Sequence, residues 1–102
     1  MGAELHLVDP APFSDEGNYQ KVSEKLAGKL KKENKTSVFW AGQFENEANY
    51  KYHQKNTAIE IYDQTQGQID AFTCAIGTGG TLKGVSMSLK DKNPDIKIAC
   101  TD

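Results

Sequence analysis

Short apolar runs alternate along the chain with stretches in which apolar residues recur every three or four positions. The runs predict strands, and they lie at residues 5–8, 36–41, 69–76 and 96–100. The periodic stretches predict helices, at about residues 14–33, at 47–66 (as one helix or in two pieces) and from 82 to a stop at Asn93-Pro94. The inward positions of the three helices are predicted to be Tyr19, Val22, Leu26 and Leu30, then Ala48, Tyr52, Ile59 and Tyr62, then Leu82, Val85 and Leu89.

The order of these elements, β-α-β-(α)-β-α-β, predicts the fold class. Strands that alternate with helices are typical of an α/β architecture, with a parallel sheet and helices on its faces. A polar segment at residues 41–49 interrupts the pattern and predicts a subdomain boundary. The expected units are residues 1–42, a strand-helix-strand, and residues 43–102.

Charge and hydropathy narrow the possible partners. The 102 residues carry 12 Lys and Arg against 14 Asp and Glu, a net charge of -2, which argues against nucleic acid and anionic membranes. No run approaches the ~20 apolar residues of a membrane span. The first ten residues lack the layout of a signal peptide, and the true start of the protein is expected to lie upstream.

The sequence contains two cysteines, Cys74 and Cys100. They cannot form a disulfide framework, and no CxxC or Cys/His spacing typical of a metal site is present. Both lie in predicted strands. We therefore predict buried, inert thiols and a reducing compartment, the cytoplasm or the mitochondrion, with no metal ion.

The segment Ala75–Gly84, "AIGTGGTLKG", places three glycines between a predicted strand and a predicted helix. Ligands of open α/β sheets bind at such carboxyl ends of strands, where helix N-termini direct N–H groups outward. Glycines let the backbone approach an anion without interference from a Cβ atom. A tight turn would need one glycine, and three favour an anion-binding loop, most simply for a phosphate.

Two common phosphate motifs do not fit this loop. The dinucleotide motif GxGxxG needs a glycine where Leu82 stands, and a P-loop counted from Gly79 needs a lysine where Val85 stands. A cofactor with a single phosphate fits better than either.

The segment from residue 43 to residue 98 resembles the fold type II pyridoxal-phosphate enzymes, and within them cysteine synthase (O-acetylserine sulfhydrylase) and the cystathionine β-synthase core. The motif residues that carry the resemblance are Gln43, Phe44, Asn46, Asn49, His53, Thr57, Glu60, Ile61, Gly67, Ile69, Asp70, Phe72 and Gly77 to Gly84. "GAELHLV" at the start of the chain is similar to a strand of the smaller subdomain in that family.

The resemblance implies roles for six residues. Gly77, Thr78, Gly79, Gly80 and Thr81 would bind the phosphate of pyridoxal phosphate, and Gln43 would contact the carboxylate of the amino-acid substrate. Residues 1–42 would end the smaller subdomain, and residues 43–102 would begin the larger one. His53 is expected on the helix surface or in support of the site rather than as a catalytic base.

The chain also departs from the family pattern. The usual proline is replaced by Glu47, and a helix-breaking Gly-Pro is replaced by Ala58-Ile59, so we expect a longer helix there. The family's Schiff-base lysine and its Thr-Ser-Gly-Asn loop are expected upstream. The Ser or Thr that contacts the pyridine nitrogen is expected downstream of Asp102. The resemblance therefore implies that this chain contains no catalytic residue and is inactive by itself.

For the whole protein, the resemblance implies an enzyme that replaces the acetate of O-acetylserine by sulfide in cysteine biosynthesis, and a homodimer. Three alternatives remain open: a serine or threonine dehydratase, a cystathionine β-synthase, and a protein of this fold that binds a ligand without turnover.

Overall fold

The structure is a computed structural model that describes residues 2–34 and 37–101. Its residue contacts divide the chain into two compact units, Met1–Gly42 and Gln43–Asp102. The assignment of these units to the smaller and larger subdomains of the family stays a prediction.

The first unit contains one long helix, α1 (Tyr19–Asn34). Asn18 caps the N-terminus of this helix. The Asn18 side-chain oxygen accepts a hydrogen bond from the Gln20 N–H at 3.1 Å, and its amide donates to the Ala11 carbonyl at 2.8 Å. The predicted start at Ser14 is therefore too early, because the capping residue is Asn18, which is only 5% exposed.

The helix predicted within residues 1–42 is present as α1, but the two strands predicted on either side of it are absent from the described residues. Residues 5–8 and 37–41 have no regular structure, and Leu7 and Phe39 are 90% and 82% exposed. An apolar run becomes a strand only when another strand pairs with it, and the described part of this unit offers no such partner. Thr36, the first residue of the second predicted strand, lies outside the described residues.

The second unit begins with an unbroken helical segment. It consists of α2 (Ala48–Tyr52), a π-helical turn (His53–Thr57) and α3 (Ala58–Gln64). The prediction of a helix over 47–66 that runs through positions 58 and 59 is confirmed. A turn follows α3 at Gln66 and Gly67, whose φ angles of 53° and 73° are left-handed, and the Gly67 N–H bonds back to the Tyr62 carbonyl at 2.8 Å.

A strand, a helix and a second strand complete this unit: β1 (Ala71–Ala75), α4 (Gly80–Lys92) and β2 (Lys97–Thr101). The strands pair in parallel, with Ala71 opposite Lys97. This small parallel sheet with its helices confirms the α/β class. The prediction that both cysteines are buried is wrong, because Cys74 is half-buried and Cys100 is exposed.

The core of this unit lies between α3, α4 and the sheet. Its fully buried apolar residues are Ala58, Val85, Leu89 and Ile96. Val85 and Leu89 confirm the predicted stripe on α4, whereas the exposed Ala48 and the 61% exposed Tyr52 were wrongly predicted to face inward. None of the described helices is both long and apolar enough to cross a bilayer.

A surface ion pair in the first unit gives a prediction about pH. Glu16 lies 3.0 Å from Lys21 Nζ and 2.5 Å from Lys25 Nζ, and the bonds to Lys25 and Lys21 lower its pKa from 4.5 to about 2. Because folding lowers the pKa of Glu16, the ionised carboxylate stabilises the folded state at pH values above the unfolded pKa of 4.5. This stabilisation is lost as the pH falls through about 2.

We therefore expect Glu16→Gln to melt slightly below the wild type at pH 7, and the difference to shrink between pH 4.5 and 2. Thermal melts followed by circular dichroism across this range test the expectation, with Glu24→Gln as the control. A difference that stays constant down to the lowest pH would contradict it.

Candidate anion-binding site

The glycine loop lies between β1 and α4, and Gly79 is the residue before the helix. Gly79 has a φ of 80°, and α4 begins at Gly80. Lys83 is the first residue of α4 whose N–H bonds back along the helix, to the Gly79 carbonyl at 2.9 Å. The N–H groups of the first turn have no carbonyl acceptor inside the helix, and they lie at the positive end of its dipole. This end of α4 favours an anion.

Asn49 ties the loop to the segment that contains Gln43. Its side-chain amide donates to Thr78 Oγ1 at 2.7 Å and to the Gln43 carbonyl at 3.2 Å. Its carboxamide also fills the space beside Gly80, where an added Cβ would lie only 2.1 Å from Asn49 Oδ1. Asn49 thus fixes the loop, and Gly80 makes room for it.

The hydroxyl of Thr78 keeps its proton available. Thr78 Oγ1 accepts hydrogen bonds from Asn49 and from the Gly80 N–H, the latter at 3.3 Å. A hydroxyl that accepts two bonds retains one O–H to donate. Thr78 can therefore donate to a bound anion without losing its contacts within the protein.

Thr81 has a different partner, His53, the first residue of the π-helical turn. The two ring nitrogens of His53 contact two threonines: Nε2 lies 3.3 Å from Thr81 Oγ1, and Nδ1 lies 2.9 Å from Thr57 Oγ1. The π-helical turn begins at His53, and the side chain is half-buried. This position supports the loop.

A cleft of about 510 Å³ opens beside the loop. It brings together four of the six predicted site residues, Gln43, Thr78, Gly79 and Gly80, whereas Gly77 and Thr81 do not line it. Lys83 lies in its wall, with Nζ 3.7 Å from the centre of the Tyr50 ring. Such a cation over an aromatic face is held in place without neutralisation of its charge.

An ion pair at the edge of the cleft limits the negative charge there. Glu47 Oε2 lies 2.6 Å from Lys51 Nζ. The hydrogen bond with Lys51 lowers the pKa of Glu47 and raises the pKa of Lys51. Both groups are therefore charged at neutral pH, and Lys51 offsets one of the two carboxylates, Glu45 and Glu47, that line the cleft.

The donors in this arrangement fit a phosphate group. They comprise helix N-terminal N–H groups, the Thr78 hydroxyl and the Lys83 cation. A Cβ atom at Gly77 or Gly79 would find nothing within 4 Å, so the backbone of the loop is open on that side. Among residues 2–34 and 37–101 no group of three or more His, Cys, Asp or Glu side chains could hold a metal ion.

No role in the site was predicted from the sequence for Asn49, Lys83 or Tyr50. Asn49 belongs to the motif that carries the family resemblance, but its bond to Thr78 spans 29 positions. Lys83 follows Gly80 by three positions, and this helical spacing was a usable signal that the two residues share a face.

Known proteins resemble this chain along its whole length. The sequence model of the family described as "Pyridoxal-phosphate dependent enzyme" matches residues 1–102. A Saccharomyces cerevisiae protein named "Putative mitochondrial cysteine synthase" is 44% identical over 101 residues, 98% of this chain and 25% of the relative. "Cysteine synthase 2" of Neurospora crassa is 40% identical over 94 residues, 90% of this chain and 21% of the relative.

A solved structure resembles the fold as well. The crystal structure of cysteine synthase from Entamoeba histolytica matches with a TM-score of 0.72 and 37% identity, over 97% of this chain and 27% of that protein. The chain thus spans about a quarter of the length of the relatives that it matches.

Proposed function

This chain belongs to the family of pyridoxal-phosphate dependent enzymes, and we propose that it is the phosphate-binding part of a cysteine synthase. The whole protein would replace the acetate of O-acetylserine by sulfide. When bound, pyridoxal phosphate supplies an electron sink for bonds broken at the carbons of the amino acid. The observation that carries the proposal is the glycine loop at the start of α4, which Asn49 links to Gln43.

We propose that Gly77, Thr78, Gly79, Gly80 and Thr81 hold the cofactor phosphate. The N–H groups at the start of α4 and the O–H of Thr78 supply donors, and Lys83 in the cleft wall adds a positive charge. Gln43 would bind the substrate carboxylate, since its amide is a neutral donor and it lines the same cleft.

The His53 contacts suggest how Thr81 takes part. If Nε2 carries the proton, His53 donates to Thr81 Oγ1, and Nδ1 accepts from the Thr57 hydroxyl. The Thr81 O–H is then available for a phosphate oxygen. With the proton on Nδ1, Thr81 would donate to His53 instead. We propose that the anion selects the first tautomer. Thr57 then donates to His53, His53 donates to Thr81, and Thr81 donates to the phosphate.

This arrangement predicts the effect of removing the imidazole. His53→Phe should weaken the binding of pyridoxal phosphate about two- to tenfold, because one hydrogen bond contributes ~0.5–1.5 kcal/mol. His53→Gln, which keeps an amide donor, should restore most of the affinity. The shifts of the loop amides on titration with the cofactor measure it. Equal affinities of His53→Phe and wild type would contradict the tautomer proposal.

We further propose that the 102 residues alone bind the cofactor weakly and are catalytically inactive. A few hydrogen bonds of ~0.5–1.5 kcal/mol each stand against an association cost of ~4–15 kcal/mol. The covalent link to a lysine would supply the remainder, and the resemblance matches no residue of this chain to that lysine. Borohydride reduction with the cofactor, followed by mass spectrometry, tests this. Labelling of one specific lysine, together with cysteine formation, would contradict it.

The decisive experiment expresses the open reading frame that contains this chain and supplies pyridoxal phosphate. We expect cysteine from O-acetylserine and sulfide. A 2-oxoacid and ammonia from serine or threonine would indicate a dehydratase, and cystathionine from serine and homocysteine would indicate a cystathionine β-synthase. Bound cofactor without turnover of any of these would indicate a binding protein.

For the compartment we propose the cytoplasm or the mitochondrion. Support comes from the two free thiols and from the word "mitochondrial" in the name of the yeast relative. Homodimer formation stays a prediction from the family resemblance, and sedimentation of the whole protein would test it.

A further inference from the structure

Cys74 and Cys100 occupy directly opposite positions on the two parallel strands. Residues in register on neighbouring parallel strands point to the same face of the sheet. Both thiols therefore share the face of Phe72 and Ile98, which pack against the core. Both cysteines are free, with Cys74 half-buried and Cys100 exposed. The strand pairing thus places two thiols that are far apart in sequence side by side on one face of the sheet.

The distance between the two strands favours a ligand that bridges the two sulfurs over a direct disulfide bond. Neighbouring strands lie ~4.7–4.9 Å apart, and side chains in register run roughly side by side, so the Cβ atoms keep about this separation. A relaxed disulfide needs Cβ atoms ~3.5–4.5 Å apart and sulfurs bonded at ~2.05 Å. An atom that bonds both sulfurs lets them remain farther apart, which suits this pair.

We propose that Cys74 and Cys100 form a dithiol site for a ligand that bonds two thiolates at once, the class represented by trivalent organic arsenicals. With an arsine oxide, two S–H bonds and the As=O bond break, and two As–S bonds form. The two thiol protons leave with the oxygen as water. Arsenic remains trivalent, so no oxidant or reductant is required.

The site lies on the strands and needs neither the cleft nor a cofactor. Its carboxyl-terminal position on β1 places Cys74 three residues before Gly77. A failure of this proposal would leave the proposed enzyme function unaffected, and the reverse also holds.

The test uses phenylarsine oxide on the whole protein that contains this chain, with mass mapping of the peptides that carry Cys74 and Cys100 as the readout. We expect one adduct that joins this pair, survives an excess of a monothiol, 2-mercaptoethanol, and is removed by a dithiol, dithiothreitol. After the first As–S bond has formed, the second forms within the same molecule and strengthens the adduct. Cys74→Ala and Cys100→Ala each allow one As–S bond, so each should lower the fraction of adduct that survives the monothiol about tenfold or more. Loss of the wild-type adduct to the monothiol would overturn the proposal, as would full retention by either single variant.

A register control separates pairing from mere proximity. Thr73→Cys combined with Cys74→Ala moves the thiol by one residue to the opposite face of β1, so its adduct should be lost to the monothiol. Adding Ala99→Cys and Cys100→Ala rebuilds a pair on that face, because Thr73 lies opposite Ala99, and retention should return. Circular dichroism checks that each variant is folded. Retention by the double variant equal to that of the wild type would show that strand register does not create the site.

Discussion

Replacement of Gly84 by alanine is expected to destabilise the second unit by about 1–3 kcal/mol or more. An added Cβ would lie 2.2 Å from the Tyr50 carbonyl oxygen, 2.8 Å from the Gln54 nitrogen and 2.8 Å from His53 Cβ. Two of these atoms belong to the backbone, so no change of rotamer relieves the overlap. The segment from Tyr50 to Gln54 must therefore move away from α4 at this glycine, next to Val85 in the core.

A second glycine provides the matched control. Gly28 lies inside α1, and a Cβ there would meet nothing within 4 Å. Gly28→Ala should therefore be neutral or stabilising, by up to ~0.8–1.0 kcal/mol from helix propensity alone. Urea unfolding of both variants gives the comparison. Equal stabilities for Gly84→Ala and wild type would show that the helices do not cross at this glycine.

The sequence predicted the second unit better than the first. The stripe of Val85 and Leu89, and the helix over 47–66, have a clear period, and each finds the apolar partners that its pattern requires. The run at residues 5–8 has equally good strand residues, yet Leu5 is 79% exposed. Apolar and β-branched residues favour an extended strand, but a strand also needs a partner strand to bond with. The local sequence contains no information about that partner.

The same distinction applies to the candidate site. The glycine loop could be predicted because strand, glycines and helix follow one another along the chain. The contacts that hold the loop, from Asn49 to Thr78 and from His53 to Thr81, join residues 29 and 28 positions apart. They depend on the approach of two helices that only the small size of Gly80 and Gly84 permits. The sequence shows the glycines, but not which atoms occupy the space that they leave.

Replacement of Gly80 by alanine is expected to weaken the binding of pyridoxal phosphate about tenfold while the fold persists. The added Cβ would lie 2.1 Å from Asn49 Oδ1 and 2.5 Å from Asn49 Cγ. This neighbour is the end of a flexible side chain, so it can swing away. Asn49 would then lose its bonds to Thr78 and Gln43. Two hydrogen bonds contribute ~1–3 kcal/mol together, and ~1.4 kcal/mol corresponds to tenfold in affinity.

A double-mutant cycle with Asn49→Ala tests this explanation. Asn49→Ala alone should also weaken binding about tenfold, because it removes the same two bonds. In that background the space beside Gly80 is open, so adding Gly80→Ala should change the affinity little, and the two effects should be strongly non-additive. Titration of the loop amides with the cofactor measures all four affinities. If the two losses multiply instead, Gly80 contributes to binding through the phosphate itself, and Asn49 does not act through this glycine.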